Sequence, residues 1–140
     1  LAREQQARNL AEFLVAQAEA ESMPIVIHGK AYKPDVPYCI GSYSTLVGHY
    51  VKEAGHEVRY VDPMADDQTE IINNISESSI ILLAHNRHIT YGYTGSDQKD
   101  YFYCDIPAGS VIVDPWRSMP DDSRYSFKKV IHYGNTRYTR

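Results

Sequence analysis

The chain has 140 residues, of which 43% are hydrophobic and 23% charged, and a formal net charge of -4, which fits one globular domain with a single core. No apolar run approaches the roughly 18 residues needed to span a bilayer, and the acidic balance argues against a broad phosphate-backbone interface. Neither a membrane nor a nucleic acid is therefore an expected partner, although a small anionic ligand held by one or two cations remains compatible with the charge. Cys39 and Cys104 stand far apart in no metal or redox spacing, which points to a reducing, cytoplasmic setting. The chain opens on Leu1 without a basic-then-apolar leader, and so reads as a segment of something longer.

Residues 1–22 form a leading helix, rich in Ala, Glu, Gln and Leu, with Ala7, Leu10, Phe13, Leu14 and Ala18 at helical spacing. Ser22-Met23-Pro24 stops it, and residues 23–140 make up the rest of one domain, beginning with the β-branched strand Ile25-Val26-Ile27. Leu46, Val47, Tyr50, Val51 and Ala54 then share one helical face, with Ser42 or Ser44 as the cap and Gly55 just past the end. Residues 57–61 form a second strand ending at Asp62-Pro63. Ile71, Ile72 and Ile75 suggest a short helix before a third strand over residues 80–84. Residues 85–109 are polar and carry no clear period. Val111-Ile112-Val113 and Val130-Ile131 are the fourth and fifth strands. Apolar strands alternating with helices imply a parallel sheet covered on both faces and joined by right-handed crossovers. The expected fold is α/β, a Rossmann-like three-layer sandwich with a mostly parallel sheet of about five strands.

Such sheets bind ligands outside the carboxyl ends of their strands, so the turn after Ile27, His28-Gly29-Lys30-Ala31-Tyr32-Lys33-Pro34, is the first place to look. A dinucleotide fold carries G-x-G-x-x-G there, but after Gly29 the next glycine is Gly41. An aromatic, a cation and a proline stand in its place. Two readings are open: Tyr32 lies on a base or sugar while Lys33 neutralises a phosphate, or Tyr32 packs under the loop and Lys33 is a solvated charge.

Gly29-Lys30-Ala31-Tyr32-Lys33-Pro34-Asp35, followed by Ser42, then Ala54-Gly55-His56-Glu57-Val58 and Tyr60-Val61-Asp62-Pro63, resembles the carboxy-terminal domain of the UDP-glucose/GDP-mannose dehydrogenase family. That family reads Gly-Leu-Ala-Phe-Lys-Pro at the turn, and Gly-Ala-x-Val ahead of a Tyr-Asp-Pro strand end. Val111-Ile112-Val113-Asp114-Pro115-Trp116-Arg117 is similar to its late strand ending in Asp and Arg. The likeness runs from the first helix to about Gly134. It implies the nucleotide-sugar-binding domain of an enzyme that oxidises a sugar alcohol to a uronate with NAD and a thiol, both held by domains absent here. This domain then binds no cofactor and catalyses nothing alone, and its partners are the rest of its own dehydrogenase chain and, at full length, a second copy in a homodimer. By the same resemblance Tyr32, Lys33, Pro34, Asp35 and Arg117 contact the UDP-sugar. Lys33 acts as a point charge and Arg117 as a two-pronged donor to phosphate. The other reading of Arg117 is a surface ion pair with Asp121 or Asp122. Ile40 stands where the family has an arginine that contacts the dinucleotide, and it cannot supply that charge. Lys30 replaces the family's leucine, at a strand end where a side chain can point to solvent.

The remaining polar features carry less. Neither cysteine sits in a thiol-activating pattern, and His85-x-x-His88 lacks the third ligand a zinc site needs. Asp62 stands where dinucleotide folds hold a ribose, but without the glycine fingerprint it reads as part of a turn. Twelve tyrosines are many for this length, and the segment from Tyr91 to Tyr103 is either an interface with another domain or subunit or a loop packed on its own domain. The competing function is a stand-alone Rossmann-like binding or interaction module without activity.

Overall fold

The computed structural model describes residues 2–30, 42–62, 65–72, 74–84, 106–115 and 127–133. They form α1 (Ala2–Glu21), β1 (Ile25–His28), α2 (Tyr43–Glu53), β2 (Val58–Val61), β3 (Ile80–Leu83), β4 (Val111–Val113) and β5 (Lys129–Ile131). All four strand pairings are parallel, in the order β2-β1-β3-β4-β5. The protein therefore has the expected α/β, Rossmann-like fold. Four strand positions fall within a residue of the sequence expectation, and β4 coincides with it.

Side-chain alternation builds two cores. Ile25, Ile27, Val58, Tyr60, Ile80, Leu82, Val111 and Val113 face the buried side of α1 and α2, while Val26, Val61, Ile81, Leu83 and Ile112 face Ile75 and Ile106, with Ile72, Phe127 and Val130 alongside. Each fully buried Ile or Leu contributes about 1.5–3 kcal/mol relative to exposure, and both sheet faces are covered this way.

The helix ends follow local chemistry. Ser22 adopts φ 55° just past α1, and the Met23 N–H donates back to the Ala18 carbonyl at 3.1 Å, a Schellman-type stop that Pro24 reinforces. Ser42 is the N-cap of α2, accepting from the Thr45 N–H at 3.2 Å, and Gly55 takes φ 89° beyond its end. Gly48 lets α2 lie directly on the sheet, because a Cβ there would stand 1.9 Å from the Tyr60 hydroxyl oxygen.

The helix expected around Ile71, Ile72 and Ile75 does not form among the described residues 65–72 and 74–79. Glu70 adopts φ 65°, its carbonyl accepts from the Tyr60 N–H at 3.0 Å, and the Ile72 N–H donates to the Tyr60 carbonyl at 2.8 Å. Ile71 thus makes a parallel bridge to Tyr60. The open edge of β2 satisfies the backbone, and Ile71 and Ile72 go to opposite cores, a period of two that favours extended chain over helix.

Candidate functional site at the strand carboxyl ends

The strands run in step: Ile25 pairs with Val58 and Ile80, Ile80 with Val111, and Val111 with Lys129. Their carboxyl ends, His28, Val61, Leu83, Val113 and Ile131, consequently line one edge of the sheet. Because the chain goes from β1 outward to β2 and then back across to β3, the topological switch point lies between β1 and β3, where open α/β sheets form their ligand crevice.

At this point β1 leaves the sheet through Gly29, whose φ of 118° suits glycine alone. The Gly29 N–H donates to the Val61 carbonyl at 2.8 Å, and the Ala84 N–H to the His28 carbonyl at 3.1 Å, so the turn is anchored to both neighbouring strands. His28 itself is buried.

Lys30 does not point to solvent as its strand-end position suggested; it is only 3% exposed. Its N–H donates to Asp62 Oδ2 at 3.0 Å and its carbonyl accepts from the Ser42 hydroxyl at 2.7 Å. Its ammonium donates to the Thr69 carbonyl at 2.5 Å, lies 3.4 Å from the Asp67 carboxylate and sits 4.9 Å from the Tyr60 ring centroid. Thr69 backbone and hydroxyl hydrogen bonds, followed by the Lys30 charge, hold the Asp67 carboxyl below its usual range. A buried ammonium is tolerated only when paired and hydrogen-bonded, and here that condition is met by the segment after β2. Lys30 thus forms a buried polar clasp with Asp62, Thr69 and Asp67.

Asp62 takes the turn role expected of it: besides receiving the Lys30 N–H, it accepts at its carbonyl from the Ala65 N–H at 3.2 Å. Its Oδ2 is thereby engaged by the Lys30 backbone. Among the described residues, no group of three His, Cys, Asp or Glu side chains is placed to hold a metal, and no helix is long and apolar enough to cross a membrane.

A second polar pair, not anticipated from the sequence, stands at the same edge. Asp114, wholly buried after β4, has its Oδ2 3.3 Å from Nδ1 of His132, which follows β5. The signal available in the sequence was an Asp and a His each one residue beyond an apolar strand.

The nucleotide-sugar residues Tyr32, Lys33, Pro34, Asp35 and Arg117 lie outside the described residues, as do Cys39, Ile40, Cys104, His85, His88 and the segment from Tyr91 to Tyr103. What the structure fixes is the two ends of the segment 31–41, to which four of the five nucleotide-sugar residues belong, since residues 30 and 42 are joined by a hydrogen bond.

A groove of about 340 Å³ lies elsewhere, between α1 and α2, with Arg8, Glu12, Glu19, Tyr50 and Glu53 in its walls. Its charges are engaged locally: Arg8 stacks over Tyr50 at 4.3 Å, Glu19 pairs with His56 at 3.1 Å and Glu53 with His49 at 2.9 Å. It is a solvated seam between helices, remote from the strand ends. No protein-family model matches the chain, and no curated protein matches it.

Proposed function

We propose that the chain is the nucleotide-sugar-binding domain of an NAD-dependent nucleotide-sugar 6-dehydrogenase, unable to oxidise its substrate alone. Tyr32, Lys33, Pro34 and Asp35 contact the UDP-sugar from the loop after β1, and Arg117 reaches the same ligand from the end of β4. NAD and the thiol that holds the oxidation intermediate belong to the rest of the enzyme, which works in the cytoplasm as a homodimer. The observation that most supports this reading is the closed base of the loop at the sheet's switch point. Lys30 and Ser42 tie residues 31–41 together at their two ends, and Lys30 spends its own charge internally. The diphosphate is then left to the cations that the family resemblance designates, Lys33 as a point charge and Arg117 as a fork.

Calorimetric titration with UDP and UDP-glucose, on the wild type and on Lys33→Ala, tests the proposal. Measurable heat for the wild type, with affinity lowered at least about tenfold in the variant by loss of a charge-assisted contact, is the expected result. No heat from either ligand at millimolar concentration contradicts it.

A further inference from the structure

Among the described residues β2 is an outer strand of the sheet, and an outer strand ordinarily presents unpaired backbone groups that invite another chain. The Val61 carbonyl accepts from Gly29 on the β1 side, so by alternation the backbone groups of Val58 and Tyr60 face outward. Both positions are covered. The Tyr60 N–H donates to the Glu70 carbonyl at 3.0 Å, and its carbonyl accepts from the Ile72 N–H at 2.8 Å. The Arg59 guanidinium donates to the Val58 carbonyl at 3.2 Å. The cover over Tyr60 is a strap, residues 65–72, pinned by two lysines. Lys30 donates to the Thr69 carbonyl and lies 3.4 Å from the Asp67 carboxylate, and Lys52, on α2, donates to Glu70 Oε1 at 3.1 Å. Asp67 and Lys52 are half exposed, so water and salt reach both pins. Glu70 holds φ 65°, a conformation that a non-glycine residue keeps only where its surroundings impose it. The strap is thus strained where it meets Tyr60 and fastened by solvated charges.

The strand beneath it is self-complementary. Two copies of one strand related by a two-fold axis pair antiparallel. An axis beside Val58 sets the outward-facing Val58 of each copy against the other as a hydrogen-bonded pair, and places Glu57 of each opposite Arg59 of the other. Those are non-hydrogen-bonded positions, where side chains approach most closely and opposite charges attract. An axis beside Arg59 would instead oppose two arginines. Within one chain Arg59 and Glu57 already pair at 3.4 Å, and both side chains reach solvent, so exchanging partners disturbs no buried contact. The second copy's backbone then takes over the Val58 carbonyl that Arg59 caps. We propose that segment 65–72 is a releasable guard over a strand-pairing edge, and that the partner it keeps out is β2 of a second copy of this chain. This association needs no nucleotide sugar.

Amide hydrogen exchange and sedimentation velocity over a concentration series test the guard and the edge together. Two variants loosen the strap: Lys30→Met and, sparing the buried lysine, Asp67→Asn, each combined with Lys52→Ala and checked for folding by thermal melts. In the loosened chain the Ile72 amide is expected to exchange at least about tenfold faster than in the wild type, measured against Ile81 in the core. Dimer is expected to form at least about tenfold more readily than in the wild type. Adding Glu57→Lys then abolishes that gain by setting like charges opposite each other, and adding Arg59→Glu as well restores it. An Ile72 amide as protected as in the wild type shows that the lysines do not hold the strap, and overturns the guard. A loosened chain that dimerises no more than the wild type, or whose added dimer is indifferent to Glu57→Lys, overturns the edge as the site of association.

Discussion

The Ser42 hydroxyl donates to the Lys30 carbonyl at 2.7 Å and accepts from the Thr45 N–H at 3.2 Å. One side chain thus caps α2 and closes the base of the loop between residues 30 and 42. Ser42→Ala removes the cap, worth about 1 kcal/mol, and leaves a buried carbonyl unsatisfied at about 1–3 kcal/mol. Urea unfolding is expected to show a loss of at least about 2 kcal/mol; a loss below about 0.5 kcal/mol would mean that water replaces the hydroxyl freely.

Asp62→Ala tests the other half of the clasp. The Lys30 N–H, bonded to Asp62 Oδ2 at 3.0 Å, loses its acceptor in a buried site, at a cost of about 1–3 kcal/mol. Lys33→Ala, by contrast, is expected to alter ligand affinity and change the melting temperature little, so the two variants separate stability from binding. A strongly destabilised Lys33→Ala would show that Lys33 is structural.

Gly48→Ala opposes two effects. Alanine gains about 1 kcal/mol in helix propensity, yet its Cβ would lie 1.9 Å from the Tyr60 hydroxyl oxygen and 2.9 Å from Cζ, and overpacking costs about 1–3 kcal/mol or more. Net destabilisation is expected, partly relieved by adding Tyr60→Phe. A stabilised single variant would mean that α2 shifts off the sheet without penalty.

Glu21, at the end of α1, accepts from Lys128 and pairs with Lys129, linking the helix to β5. The Lys128 hydrogen bond, opposed by burial and aided by the charges of both lysines, lowers its carboxyl from the ordinary 4.5. A lowered folded-state value means that the contribution is complete above about 4.5 and is lost as pH falls through the folded value. Melting temperatures of Glu21→Gln should therefore fall less between about pH 5 and pH 3 than those of the wild type. Parallel curves for the two proteins would show that Glu21 is not linked to stability.

The sheet was legible in the sequence because β1, β3 and β4 are short apolar runs buried on both faces. Ser42 and Gly55 marked α2 for a similarly local reason. Ile71, Ile72 and Ile75 misled because their spacing also fits a helix; only the open edge of β2, a tertiary feature, decides for extended chain. Lys30 was unreadable for the same kind of reason. A lysine at a strand end ordinarily faces water, and the partners that bury this one, Asp67, Thr69 and Tyr60, come from a segment thirty or more positions away. Asp114 and His132 are brought together by parallel register alone, which no local pattern encodes.

Backbone amide spectra recorded during titration with UDP-glucose report where the ligand sits. Saturable shifts are expected at the strand carboxyl ends, in Gly29, Lys30, Ala84, Asp114 and His132, with Arg8, Val15 and Glu53 in the helical seam unmoved. Shifts confined to that seam, or no saturable shift at millimolar ligand, would contradict the proposed site.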